Sequence, residues 1–182
     1  MTTPHDPRAQ TLRDADDASL GGWAEVRARD TVVRYRCHGA GRLVVLVAGL
    51  DDAREGTTPL VAALAEGARV LQLASPATRR PFADWLSDVL DGLGMHDVTL
   101  LVSAALRADA LELGMRDGQR VGRLVIIDAF DAPPRDVEST PRNERSGAPI
   151  PMLVVAGAAG SAFAAAHILR FIRETQSADD RR

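Results

Sequence analysis

The chain has 182 residues, 46% of them hydrophobic and 26% charged, with a formal net charge of −3 and one cysteine, Cys37. That length fits one domain able to bury its own core, and the interspersed charges leave no basic stripe for nucleic acid. All 22 basic residues are arginine, which excludes a lysine Schiff base, a Ser-Lys dyad and a P-loop lysine, while a lone thiol excludes an internal disulfide or a multi-thiolate metal site.

Residues 1–19 are polar and acidic and carry no apolar signal-peptide core. They read as a flexible arm before a single domain at 20–176, with 177–182 as a disordered tail. No apolar run approaches the ~20 residues that a spanning helix needs. With the single free thiol, this predicts a cytoplasmic protein without membrane contact. Residues 24–29 and 32–36 alternate polar and apolar around Asp30, as a surface hairpin does. The run LVVLV at Leu43–Val47, entered through Gly39-Ala40-Gly41, is apolar on both faces, the habit of a parallel strand. Residues 58–66 predict a helix with Pro59 in its first turn and Gly67 at its end.

The alternation then repeats. Arg69–Leu73 reads as a strand and Phe82–Leu93 as a helix with Phe82, Trp85, Leu86, Val89, Leu90 and Leu93 on one face. Residues 98–102 form the next strand and 105–115 the next helix, closed by Asp117-Gly118; 124–127 is a strand ending at Asp128. The Pro- and Arg-rich stretch 132–148 reads as a loop. Residues 152–155, from Met152 to Val155, give the last strand and 161–175 the last helix. The pattern predicts an α/β fold: a doubly wound, mostly parallel sheet of about seven strands with an N-terminal antiparallel hairpin and no cap domain. Ligands of such sheets bind at the carboxyl ends of the strands.

Six segments in this order carry a resemblance: VVRYRCHGAGRLVVLVAGL, PLVAALAEGARVLQL, FADWLSDVLDGLG, VTLLVSAALRADALELGM, RVGRLVIIDA and PIPMLVVAG. From Trp23 to Glu174 the chain resembles the alpha/beta hydrolase superfamily. That resemblance implies a serine nucleophile in Gly-x-Ser-x-Gly after the fifth strand. Here the text is Val102-Ser103-Ala104-Ala105-Leu106, with Ala104 at the nucleophile position and neither glycine kept. The oxyanion turn, usually His-Gly, reads Ala48-Gly49-Leu50. The acid position after the last strand reads Gly157-Ala158-Ala159-Gly160, without a carboxylate. The strand, preceding helix and loop that would bring the histidine are skipped, since Val155 leads into the last helix at Ser161. The resemblance therefore implies a degenerate, truncated member with no triad.

Other groups could still do chemistry. Asp51 and Asp52, after Gly49-Leu50, and Asp128 converge in the implied fold on the carboxyl edge, where partial burial would raise a carboxyl pKa for acid/base work. Their plainer roles are capping the next helix and satisfying loop amides. Ser103 is one residue early for a nucleophile and reads more simply as a small strand-end residue. Gly49, Leu50, Ser103 and Ala105 are the candidate ligand contacts, the amides at the helix start being able to accept an anion. Arg79-Arg80, also at the top edge, could meet an anionic ligand or solvent. Cys37 and His38 are adjacent and so face opposite ways on a strand; His96 falls at the bottom of the sheet, and His167 lies on the last helix with Phe171. No histidine pair has zinc-site spacing, and no metal or cofactor is expected.

The small-residue stretch 157–166 suits close packing or dimerisation, and an open strand at 152–155 invites pairing with another chain. The leading expectation is a non-hydrolytic binding, scaffolding or regulatory subunit, homodimeric or partnered through that strand and the last helix, with a possible small hydrophobic ligand. The alternative is a cyclase, lyase or isomerase of a secondary-metabolite type pathway that uses Asp51, Asp52 or Asp128 as acid and base.

Overall fold

The computed structural model describes residues 23–29, 31–47, 57–74, 80–128, 150–156 and 162–179. Strands β1 (Ala24–Ala28) and β2 (Thr31–His38) form the N-terminal antiparallel hairpin, Ala24 facing Tyr35 and Ala28 facing Thr31. Arg29 turns the chain between them at φ 49. β2 runs antiparallel to β4 (Arg69–Leu73), and β4, β3 (Leu43–Val47), β5 (Val98–Ser103), β6 (Val121–Asp128) and β7 (Met152–Ala156) are parallel. The seven-stranded order is β1-β2-β4-β3-β5-β6-β7. The sheet is thus the one its alternation of apolar runs predicts.

Period-two alternation within each strand splits the core into two layers. On one face Val45, Val47, Leu71, Leu100, Val102 and Ile126 meet α2 (Phe82–Leu93) and α3 (Arg107–Arg116). On the other, Val44, Leu46, Leu101, Val125, Leu153 and Val155 meet α1 (Thr57–Ala65) and α4 (Ala162–Asp179). Helix α2 buries the stripe read from sequence, Trp85 lying against Phe82 with ring centroids 5.7 Å apart. It stops where Gly94 turns to φ 65, and the Met95 amide donates to the Leu90 carbonyl at 2.9 Å, closing the last turn. At the β2–β3 turn Gly39 has φ 70, and the end of α1 lies against it so closely that a Cβ would stand 2.4 Å from the carbonyl oxygens of Ala65 and Ala68.

Several element boundaries differ from the sequence reading by one to four residues, three of them for a visible reason. The helix expected at 105–115 begins as a 3-10 turn, Ala104–Leu106, before α3. β6 starts three residues earlier than 124, since Val121 and Arg123 are both fully buried and extend the ladder. Helix α4 runs to Asp179, so residues 177–179 are helical rather than part of a disordered tail. No glycine or proline follows Thr175 to stop it, and an Arg170–Glu174 pair at 2.6 Å, spaced i,i+4, supports its last turns. The arm at 1–19, the loop at 132–148 and the connection where a cap would stand lie outside the described residues.

Candidate functional site at the carboxyl edge

Strands β3 to β7 all end at one edge. Register sets Val47 opposite Val102, Ser103 opposite Ile127 and Asp128 opposite Ala156. Ser103 and Asp128 therefore close neighbouring strands, one residue apart in height. Ser103 is extended (φ −71, ψ 160) and half-buried, its side chain capping nothing, and Ala104 opens the 3-10 turn. The positive-φ non-glycine residues among those described are Arg29 and Asp97. Position 104 is not one of them, so the turn lacks the backbone strain that presents a nucleophile. Buried Val102, with Ala104 and Leu106 packed on the same layer, fills the strand end with methyl groups, while Ala105 is exposed.

The histidines stand elsewhere. His38 pairs with Val70, where β4 begins, at the opposite end of the parallel strands from Ser103. His96 is exposed just before β5. His167 is exposed on α4, its ring 4.3 Å from Phe163. Cys37 is buried and accepts from the Arg69 Nε at 3.3 Å, on the face opposite His38, so the two form no dyad. Among the described residues no cluster of His, Cys, Asp and Glu could hold a metal ion, and no helix is long and apolar enough to cross a membrane. Gly49, Leu50, Asp51, Asp52, Arg79 and Gly157 to Gly160 lie outside the described residues.

Burial, and then the nearby Arg36 guanidinium, push the His38 pKa below its ordinary 6.5. The unfolded chain then binds the proton first, so stability is full above pH 6.5 and declines as pH falls toward the folded-state value. His38→Gln is expected to flatten that decline, read as the change in urea midpoint between about pH 7.5 and about pH 5.5.

Two charged clusters escaped the sequence reading. Asp88, buried on α2, pairs with Arg29 Nε at 3.1 Å and Arg80 Nη2 at 2.9 Å, tying the hairpin to the helix. Arg80 is thus paired within the fold. At the amino edge Asp97 adopts φ 49 and joins Arg42 at 2.8 Å to the fully buried Arg123 at 3.4 Å. Arg123 Nε also donates to Thr175 Oγ1 on α4 at 2.6 Å. Gly122 makes room, since a Cβ there would collide with the Asp97 carboxylate. Asp88 and Arg123 read as surface charges in the sequence, because their partners Arg29, Arg80, Asp97 and Thr175 come from other parts of the chain. A cavity of about 450 Å³ opens beside this cluster, lined by Arg42, Glu66, Gly67, Leu169, Ile172 and Arg173. It is at the end of the sheet opposite the one where a ligand was expected.

No family model matches the sequence, and no curated protein matches it. Solved structures match its fold. A membrane phospholipase A described as a bacterial virulence factor shares 15% identity, with 72% of this chain and 47% of that one covered at a TM-score of 0.52. A protein described as a lipase from Acinetobacter baumannii AYE shares 12% identity over 76% of this chain and 51% of its own, at 0.51. A bromoperoxidase from Bacillus anthracis aligns over 58% of this chain and 44% of its own, with 21% identity and a TM-score of 0.49. The chain spans about half the length of these proteins. With the hairpin, the strand order and the helices on both faces, the chain has an alpha/beta-hydrolase-like fold.

Proposed function

We propose that this protein is a non-hydrolytic alpha/beta-hydrolase-fold subunit that binds or scaffolds rather than cleaves. One observation carries the reading: the strand-to-helix turn that would present a nucleophile holds Ala104 in a relaxed 3-10 conformation, packed by Val102 and Leu106. A methyl group cannot form an acyl intermediate, and His38 and His96 stand at the opposite end of the parallel strands from Ser103. The partner surface in this reading is β7 with α4. β7 closes the sheet among the described residues, its five residues carry no charge, and Phe163 on α4 is 58% exposed. An uncharged edge strand and an exposed aromatic on α4 suit pairing with a second copy.

The test combines reactivity with mass. A fluorophosphonate probe is expected to label the full chain no more than its Ser103→Ala variant. Sedimentation equilibrium is expected to give twice the 19.4 kDa monomer mass, falling to one unit in Phe163→Glu. Stoichiometric labelling at Ser103 would sink the non-hydrolytic reading; a monomeric parent would remove the dimer. The position of Asp128 at the carboxyl end of β6 favours a second reading, an acid/base enzyme such as a cyclase, lyase or isomerase. Its mark would be a turnover lost in Asp128→Asn while fluorophosphonate labelling stays absent.

A further inference from the structure

The outward face of the hairpin is charged, and no described helix packs a buried core layer onto it. Val26, Val33, Tyr35 and Cys37 point into the layer beneath α2, so alternation puts Glu25, Arg27, Arg34 and Arg36 on the other side. The second core layer takes no buried side chain from β1 or β2. Three guanidiniums therefore share an open face with one carboxylate, in a protein whose net charge is −3. Trp23 lies across two of them, with the Arg36 guanidinium carbon 4.1 Å and that of Arg34 5.0 Å from its ring centroid. Stacking on an aromatic ring holds both arginines in place with their hydrogen-bonding edges directed elsewhere. The Arg36 Nε, though buried, has no acceptor among the described residues. A preset pair of guanidiniums, one of them with an unpartnered buried Nε, suits carboxylates.

We propose that this arginine face is the docking surface for the chain's own acidic segment, Asp14, Asp16 and Asp17. Charge matches: with Glu25 counted the face carries a net charge of +2, and with Arg13 counted residues 13–17 carry −2. The reach is short: Ala24 faces Tyr35, so the chain arrives at Trp23 beside Arg36. Five residues lie between Asp17 and Trp23, and the six Cα steps, fully extended, span up to roughly 20 Å, far more than the step from Arg36 to Arg34. Gly21 and Gly22, immediately before Trp23, leave the direction of approach unrestricted by a Cβ. A tethered segment needs little intrinsic affinity, because the link keeps its effective concentration high.

The experiment is phenylglyoxal modification of the full-length protein at low salt, with labelling at each arginine read by peptide mass spectrometry. Exposed Arg170, on α4, serves as the reference. The variant Asp14→Asn/Asp16→Asn/Asp17→Asn changes no residue of the core and keeps the fold for comparison. Labelling of Arg34 and Arg36 relative to Arg170 is expected to rise about fivefold in the variant, the size expected for a few exposed ion pairs. High salt is expected to bring the parent to the variant's level. Equal labelling of parent and variant overturns the proposal. So does protection that disappears on dilution of the parent, because that outcome assigns the contact to a second copy instead of the same chain.

Discussion

Gly39→Ala is expected to destabilise the protein by about 2–5 kcal/mol, combining the ~1–2 kcal/mol of a side chain held in the left-handed region with the cost of overpacking. The added Cβ would stand 2.4 Å from two backbone oxygens, those of Ala65 and Ala68, and neither can rotate away as a flexible side chain would. Relief requires the end of α1 to lift from the β2–β3 turn, which disturbs Leu60 and Leu64 beneath it. Gly41→Ala is the internal comparison. Gly41 has φ 105, yet a Cβ there would approach nothing nearer than 3.8 Å, so that variant bears the conformational cost alone. Urea unfolding of both variants separates the two contributions, and equal midpoints would show that the contact with α1 carries no weight.

The second large effect concerns Arg123. Its side chain is fully buried, and the cost of withdrawing a guanidinium from water is offset by Asp97 and Thr175. Arg123→Ala orphans neither Asp97 nor Thr175, because Asp97 keeps Arg42 and Thr175 Oγ1 keeps the Phe171 carbonyl at 2.9 Å. The loss is one of volume, and about 2–4 kcal/mol is expected from the void. Arg123→Met refills the space without a charge and is expected to fall within about 1 kcal/mol of the parent or to exceed it. If methionine proves as damaging as alanine, the ionic contact and not the packing holds this corner. Asp97→Ala tests the same corner from the exposed side. It leaves the buried cation to Thr175, with a smaller cost because water reaches more than half of the Asp97 side chain.

How much of this was legible in the sequence depends on the range of the interactions involved. LVVLV announced a strand buried on both faces because no position in it could tolerate water, and the Phe82-to-Leu93 stripe announced a helix because its spacing fits nothing else. The start of β6 was hidden by Arg123, a charged residue that reads as surface until its partners are known. The end of α4 was missed because local propensity, reinforced by a pair within the helix, carries it past the last core residue, Ile172. At the carboxyl edge, Ala104 was legible as a missing hydroxyl, and the structure adds that the turn is relaxed. Asp88 and Asp97 were not legible as paired groups, since their partners come from other elements and only the closed fold brings them together.

The two layers of the core do not become available together during synthesis. The layer under α2 and α3 has every buried member once Met152 has been added. The opposite layer waits for Ala164, Ala165, Ile168 and Ile172, and until they arrive Leu60, Leu64 and Val44 have no α4 against them. A nascent chain would therefore display one finished side and one oily, uncovered side. That interval is when chaperones, or another unfinished copy, would find it most adhesive.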